Sequence, residues 1–294
     1  MQTTTRVRNA IMTAGICGGL LLAPAIASAA EASFERTLNV SGSPNLQVST
    51  GSGYIHISPG SGSQIHIVGH VKSSNGGGWF GGGGSSDDRV KQVADNPPIE
   101  QSGNDVHIGR KNSDWLRNIS IDYEITMPRN ANVEAGTGSG DLRISEISGG
   151  LKAGTGSGSI DVHGIGGAVE LNTGSGDIHA ELVNPSMTKA QTGSGSIRLY
   201  GVVGSLKADT GSGEIEIEGQ PTSDWKLQTG SGSVGLAVGN SRFSLDASTG
   251  SGTVHSDPPI TTHGSLERHH VVGDINGGGP TVRVETGSGD VRIK

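Results

Sequence analysis

The sequence predicts an all-β protein, a single-stranded β-solenoid whose coils take about 18 residues and carry two or more short strands each. Three observations predict it. The tetrapeptide Thr-Gly-Ser-Gly recurs nine times in 294 residues. Apolar residues stand in fixed columns on both sides of each copy. The composition, with 51 glycines and only 3% aromatic residues, holds too little bulky apolar material for a thick layered core and suits a thin repetitive one.

The chain opens with a segment that reads as a secretory signal over residues 1–29. Arg6 and Arg8 form a basic start, an apolar run extends from Ile11 to Ile26, and Ala27-Ser28-Ala29 offers small residues for cleavage. The run is too short and too rich in Gly and Ala to span a bilayer comfortably. Cys17 lies in mid-run behind Ile16, which argues against lipidation. It is the only cysteine and leaves with the signal, so the mature chain has no disulfide and no thiolate chemistry. The expected destination is the periplasm, the cell surface or the medium, with no membrane-spanning segment after signal removal. Loss of Arg6 and Arg8 leaves 19 basic against 28 acidic residues, a net charge of −9. Nucleic acid and anionic lipid demand a basic face and are excluded as partners on that ground.

Residues 30–294 are expected to form one solenoid domain. Its first coil runs from about Ser33 to Val71, and residues 73–104 form an insertion of loop and short helix. In that insertion a glycine-rich stretch carries Trp79 and Phe80, two aromatics that either pack locally or contact a ligand. Asp87 to Ala94 suits a short helix ended by Asn96-Pro97-Pro98. Strands resume at Asp105–Ile108 and Ile119–Ile125, which cap or start the regular stack.

From 131 to 294 the TGSG coils are regular. The nine copies begin at Thr50, Thr137, Thr155, Thr173, Thr192, Thr210, Thr229, Thr249 and Thr286. Between Thr137 and Thr249 the steps are 18, 18, 19, 18, 19 and 20, and the last step, 37, is about two periods. Two residues beyond each tetrapeptide stand Ile55, Leu142, Ile160, Ile178, Ile197, Ile215, Val234, Val254 and Val291. A second column follows two residues later, and only Ser256 breaks it. Polar residues such as His56, Arg143, Asp161, His179, Arg198 and Glu216 alternate with these columns, the period of a half-buried strand. Leu151 with Ala153, and Leu206 with Ala208, repeat the pattern before the tetrapeptide. TGSG therefore joins two inward-facing strands. A hairpin meander has no need for identical columns every 18 residues, whereas stacked coils do. Pro258-Pro259 to Gly279-Pro280 interrupts the period, and Val291–Lys294 is expected as an outer strand.

Stacking would turn the motifs into ladders. The threonine row, including Thr155, Thr173 and Thr192, either stabilises turns through side-chain hydrogen bonds or meets a regular surface such as a polysaccharide. Asp141 and Asp177, two coils apart at roughly 9.6 Å, approach the carboxylate separation of inverting glycosidases. A catalytic pair, however, needs a cleft and one raised pKa rather than an exposed repeated turn. TGSG followed by Asp at an 18-residue period lacks the paired nine-residue loops of calcium β-rolls, and no lysine follows it as in a phosphate-binding loop. His269-His270 has no third ligand at a recognisable spacing. No cofactor, metal or catalytic set is expected.

The export signal, the segment Ile121-Asp122-Tyr123-Glu124-Ile125-Thr126-Met127-Pro128, the serial TGSG units and the closing Gly277-Gly278-Gly279-Pro280 with Thr286–Val291 together resemble the bacterial putative-adhesin family, a domain of unknown function (DUF4097). The resemblance covers nearly the whole mature chain. It implies a right-handed β-helix-like solenoid and brings no catalytic residues. The expected role is a noncatalytic exported adhesin or cell-envelope structural protein, meeting a polysaccharide or a cell-surface protein. A glycan-cleaving β-helix enzyme, lyase or hydrolase, is the alternative.

Overall fold

A strand that alternates apolar and polar residues buries one face, so a winding of two such strands is stable only when its neighbours continue the strip. The computed structural model describes residues 31–73, 84–109, 118–183 and 185–294. The signal assigned to residues 1–29, and Trp79 and Phe80, lie outside the described residues.

The N-terminal part contains β1 (Glu31–Asn39), β2 (Asn45–Ser52), β3 (Ile55–Gly60), β4 (Gln64–Ser73), α1 (Gly84–Asp95), β5 (Ile99–Ser102), β6 (Asp105–Ile108) and β7 (Ile119–Pro128). The middle runs in pairs: β8 (Asn132–Ser139) with β9 (Leu142–Ser145), β10 (Leu151–Ser157) with β11 (Ile160–Ile165), β12 (Val169–Ser175) with β13 (Ile178–Leu182). Three further pairs complete it: β14 (Met187–Ser194) with β15 (Ile197–Val203), β16 (Ser205–Ser212) with β17 (Ile215–Gln220), β18 (Trp225–Ser231) with β19 (Val234–Ala237). The C-terminal part holds β20 (Phe243–Ser251), β21 (Val254–Ser256), β22 (Ile260–Glu267), β23 (His270–Ile275), β24 (Thr281–Ser288) and β25 (Val291–Ile293).

Each TGSG is the corner at which the chain passes from a 13-stranded leading sheet to a 12-stranded trailing sheet. The molecule is thus a β-solenoid, and register is like over like. Ala153 lies between Ala135 and Leu171, Thr155 between Thr137 and Thr173, and Ile160 between Leu142 and Ile178. The inward columns of the middle coils are buried between the two sheets, with alanines admitting close approach on the leading side. The corner itself demands glycine. Gly176 has φ of +144°, and a Cβ there would lie 2.0 Å from the carbonyl oxygen of Gly158 in the coil below.

The ends depart from chain order. In the trailing sheet the strands run β1-β4-β7-β3-β9, and in the leading sheet β5-β6-β2-β8. The first winding, β2 and β3, is therefore held between the later strands β6 and β7 on one side and β8 and β9 on the other. At the far end β24 pairs in parallel with β18 and β20, and β25 with β19 and β21. This corrects the expectation that Val291–Lys294 is an outer strand: it is interior, and β21 is the edge. The 37-residue step from Thr249 to Thr286 leads one coil back, because residues 260–275 form an antiparallel hairpin that occupies the outer side of β20. Ser256, which breaks the apolar column, thus belongs to the terminal winding, where its Oγ donates to the carbonyl of Pro258 at 2.8 Å. The N-terminal end is closed by antiparallel β1, β4 and β5 and by α1, whose Val90 and Val93 are buried in the common core. Among the described residues no helix is long and apolar enough to cross a membrane.

Candidate functional site

Alternation leaves every second side chain outside, and parallel in-register pairing lines those side chains up at about 4.8 Å per coil. The outer faces are therefore ladders. On the leading sheet the row runs Gln47, Glu134, Lys152, Glu170, Lys189, Lys207, Lys226, Arg283, Asp246 in spatial order. Its first half alternates in sign: Gln47 donates to Glu134 at 3.0 Å, and Lys189 Nζ lies 2.9 Å from Glu170 Oε1. The hydrogen bond from Lys189 holds the Glu170 carboxyl below the usual carboxylate range. From Lys189 onward four cations, Lys189, Lys207, Lys226 and Arg283, stand in succession before Asp246. Lys207 is paired to Asp209 at 3.1 Å and Arg283 to Asp246 at 3.0 Å, while Lys226 between them makes no ion pair among the described residues. A shallow groove crosses this face past Gln47, Glu134, Lys152 and Glu170, with Met187 exposed on its rim.

The carboxylates that follow TGSG have a structural task. Asp141 Oδ1 accepts the N–H of Ser159 at 2.8 Å, Asp177 that of Ser196 at 2.7 Å, and Asp290 that of Thr253 at 2.9 Å. Asp122 receives Tyr54 in the same way at 3.1 Å. In spatial order the position reads Asp122, Tyr54, Asp141, Ser159, Asp177, Ser196, Glu214, Ser233, Asp290, Thr253, so an acid stands on every second coil. The alternation emerges only when the last winding is placed between its true neighbours. It spaces like charges two coils apart and gives each aspartate, though not Glu214, a backbone donor. Asp141 and Asp177 are thus turn acceptors rather than a carboxylate pair across a cleft.

The threonine row faces inward. Thr155, Thr173 and Thr192 are 7, 7 and 6% exposed, and their Oγ1 atoms donate to the carbonyls of Gly140, Gly158 and Gly176, each at 2.9 Å. A hydroxyl with that burial and that partner joins one corner to the next. The exposed members of the corner are the first glycine and the serine, as in Gly174 and Ser175.

On the trailing face the structure assembles a group that the spacing of histidines did not signal. Asp161, His163 and His179 place potential ligand atoms within 4.8 Å of one another. His163 Nε2 is 2.9 Å from Asp161 Oδ1, and His163 Nδ1 is 3.2 Å from Glu181 Oε2. The two imidazoles lie 5.6 Å apart, and Tyr200 stacks at a tilt 5.5 Å beyond His179. The signal was present in the columns, since residues 161 and 163 stand directly beside 179 and 181 once the coil step is applied. His269 and His270 do not act together: His269 faces the carbonyl of Gly252 and His270 faces Asp246.

The Toastrack DUF4097 family model matches residues 84–294. Similar solved structures include a putative cell adhesion protein from Clostridium sporogenes, 15% identical over 90% of this chain and 99% of that one, with a TM-score of 0.26. A putative adhesin from Bacteroides fragilis is 11% identical over 90% and 97%, with a TM-score of 0.37. One from Parabacteroides distasonis is 12% identical over the same shares, with a TM-score of 0.33. Likenesses this distant carry no argument about function, and no curated protein matches the chain. With the family model covering more than half of its length, the chain belongs to the Toastrack DUF4097 family.

Proposed function

We propose that the protein is an exported, noncatalytic solenoid of the cell envelope that binds a repetitive partner along the outer face of its leading sheet. The export part rests on the signal read at residues 1–29. The binding part rests on one observation: Lys189, Lys207, Lys226 and Arg283 stand in register on consecutive coils. Glu170, Asp209 and Asp246 offset three of these cations, and Lys226, without an ion pair among the described residues and set between Lys207 and Arg283, leaves a local surplus of positive charge that suits acidic groups repeated along a partner. An acidic polysaccharide meets this chemistry better than a cell-surface protein of irregular charge. The carboxylates that a glycan-cleaving enzyme would need are engaged as turn acceptors, which supports binding over cleavage. The test is retention on immobilised acidic and neutral polysaccharides, with released fragments scored separately. The expected result is salt-sensitive retention on acidic polymers, weakened in a Lys189→Gln, Lys207→Gln, Lys226→Gln variant. Retention by no polymer, or turnover of any, overturns the reading.

A further inference from the structure

We infer that Asp161, His163 and His179 form a site for a single transition-metal dication of the zinc class, with Glu181 orienting His163. The four residues occupy a two-by-two grid on adjacent parallel strands, Asp161 beside His179 and His163 beside Glu181. Neighbouring positions in such a grid are about 4.8 Å apart across strands and about 6.7 Å along them, so side chains of this length converge above its centre. The donor atoms of Asp161, His163 and His179 already lie within 4.8 Å of one another. Donors on a tetrahedral zinc, at bonds of about 2.0–2.2 Å, are separated by roughly 3.3 Å, so the Asp161–His163 pair, at 2.9 Å, would open slightly, and contraction of the other separations by at most about an ångström and a half brings the set to bonding geometry.

Two details favour a metal over a simple surface ion pair. Asp161 Oδ1 is shielded from solvent and accepts no hydrogen bond, although His163 Nε2 is only 2.9 Å away. The guanidinium of Arg143 engages the other oxygen, Oδ2, at 3.4 Å, leaving Oδ1 for a different partner. The second nitrogen of His163 faces Glu181 at 3.2 Å. A carboxylate behind the non-ligating nitrogen fixes the tautomer and ring orientation of a metal-bound histidine. Two imidazoles and one carboxylate select zinc, cobalt, nickel or copper over calcium and magnesium. The side chains of Asp161 and His163 are 32 and 38% exposed, so an ion reaches them from solvent, and the remaining coordination positions fall to water. Elsewhere His255 pairs with Asp257 and His263 with Asp274, with no second imidazole brought in among the described residues.

The test uses the full chain without an affinity tag, stripped of metal and titrated with zinc by calorimetry, with cobalt as a spectroscopic reporter. One zinc per chain is expected, with a micromolar Kd and a visible cobalt band of four-coordinate intensity. Both are lost in His163→Gln, His179→Gln, whose metal-free melting curve should match the parent, and both persist in His263→Gln. Glu181→Gln is expected to weaken zinc about tenfold. Saturable binding that survives the double histidine variant, absence of saturable binding, or equal competition by calcium overturns the inference.

Discussion

From Asn132 to Ala237 each winding rests on the one that precedes it in the chain, whereas at both ends the chain steps outward and returns, so that its first and last windings are clasped on two sides. Middle contacts join residues 18 or 19 apart. End contacts join residues as distant as Leu46 and Val133, or Trp225 and Val282. The difference teaches how an open stack avoids loose ends. A solenoid that simply stopped would leave two bare parallel edges and a fraying terminus. Here the windings that come first and last in the chain are interior, antiparallel strands and a helix cover the N-terminal end, and the hairpin of β22 and β23 covers β20, leaving the short β21 as the edge. The middle should form readily from near neighbours, while the ends require closure of long loops.

The strongest way to break this comparison is to delete the last winding, residues 281–294. Val282, Val284, Val291 and Ile293 are each 0% exposed, and burial of four such side chains is worth roughly 6–12 kcal/mol. We expect loss of cooperative folding in the C-terminal part. Deletion of two middle coils, residues 156–192, should leave a folded solenoid with a modestly lower Tm, because it rejoins Thr155 to Gly193 in register and keeps the acid on every second coil. Deletion of one coil, residues 156–173, should be worse per residue removed, since it sets Asp141 beside Asp177. Thermal unfolding followed by circular dichroism decides it, and a truncated chain melting within a few degrees of the parent removes the structural importance of the interleaving.

At single positions the corner glycines should show the largest effect. Gly176→Ala sets a Cβ 2.0 Å from a carbonyl at a positive φ and should lose about 3 kcal/mol or more. Gly154→Ala, with its nearest neighbour at 3.7 Å, should stay within about 0.5 kcal/mol of the parent. Equal losses at the two positions would show that backbone freedom in the unfolded chain, not the close approach of coils, sets the need for glycine.

The threonines give the next rank. Thr173→Val removes the donor to Gly158 and should lose about 1–2 kcal/mol in denaturant unfolding, with retention on any polysaccharide unchanged. Thr188 sits between Val169 and Leu206 of the adjacent coils, 1% exposed and with no hydrogen-bond partner for its hydroxyl. Thr188→Val should therefore stabilise by about 1 kcal/mol. A loss there would mean that an ordered water serves the hydroxyl.

What could be read from the sequence follows the same division. The middle coils were legible because each contact repeats at one period, so columns of Ile, Ala and Thr expose register directly. The ends were not, since nothing local in Val291–Lys294 states whether that strand lies outside or inside its neighbours; the outcome depends on the upstream hairpin of residues 260–275 claiming the outer side of β20. The inward turn of the threonines could not be read from the sequence, because a hydroxyl suits a corner bond and an outward contact equally until its burial is known. Asp161, His163 and His179 were all visible, yet grouping them required applying the coil step to polar positions as well as to apolar ones.

The smallest predicted effect distinguishes the ends from the middle by charge. Asp290 accepts both the N–H and the hydroxyl of Thr253, at 2.9 and 3.0 Å, across the junction that exists only because the last winding is interior. The backbone donor, followed by the hydroxyl and Arg292, holds its carboxyl below the usual range. A carboxyl lowered on folding adds stability that is complete above its unfolded pKa of about 3.9 and is lost as pH falls through the folded value. Asp290→Asn keeps an acceptor but removes that titration. Between neutral pH and about pH 3 the variant should therefore lose less Tm than the parent does. If both lose the same, the ionised form of Asp290 contributes nothing to holding β21 against β25, and the terminal winding is kept in place by its buried column and hairpin alone.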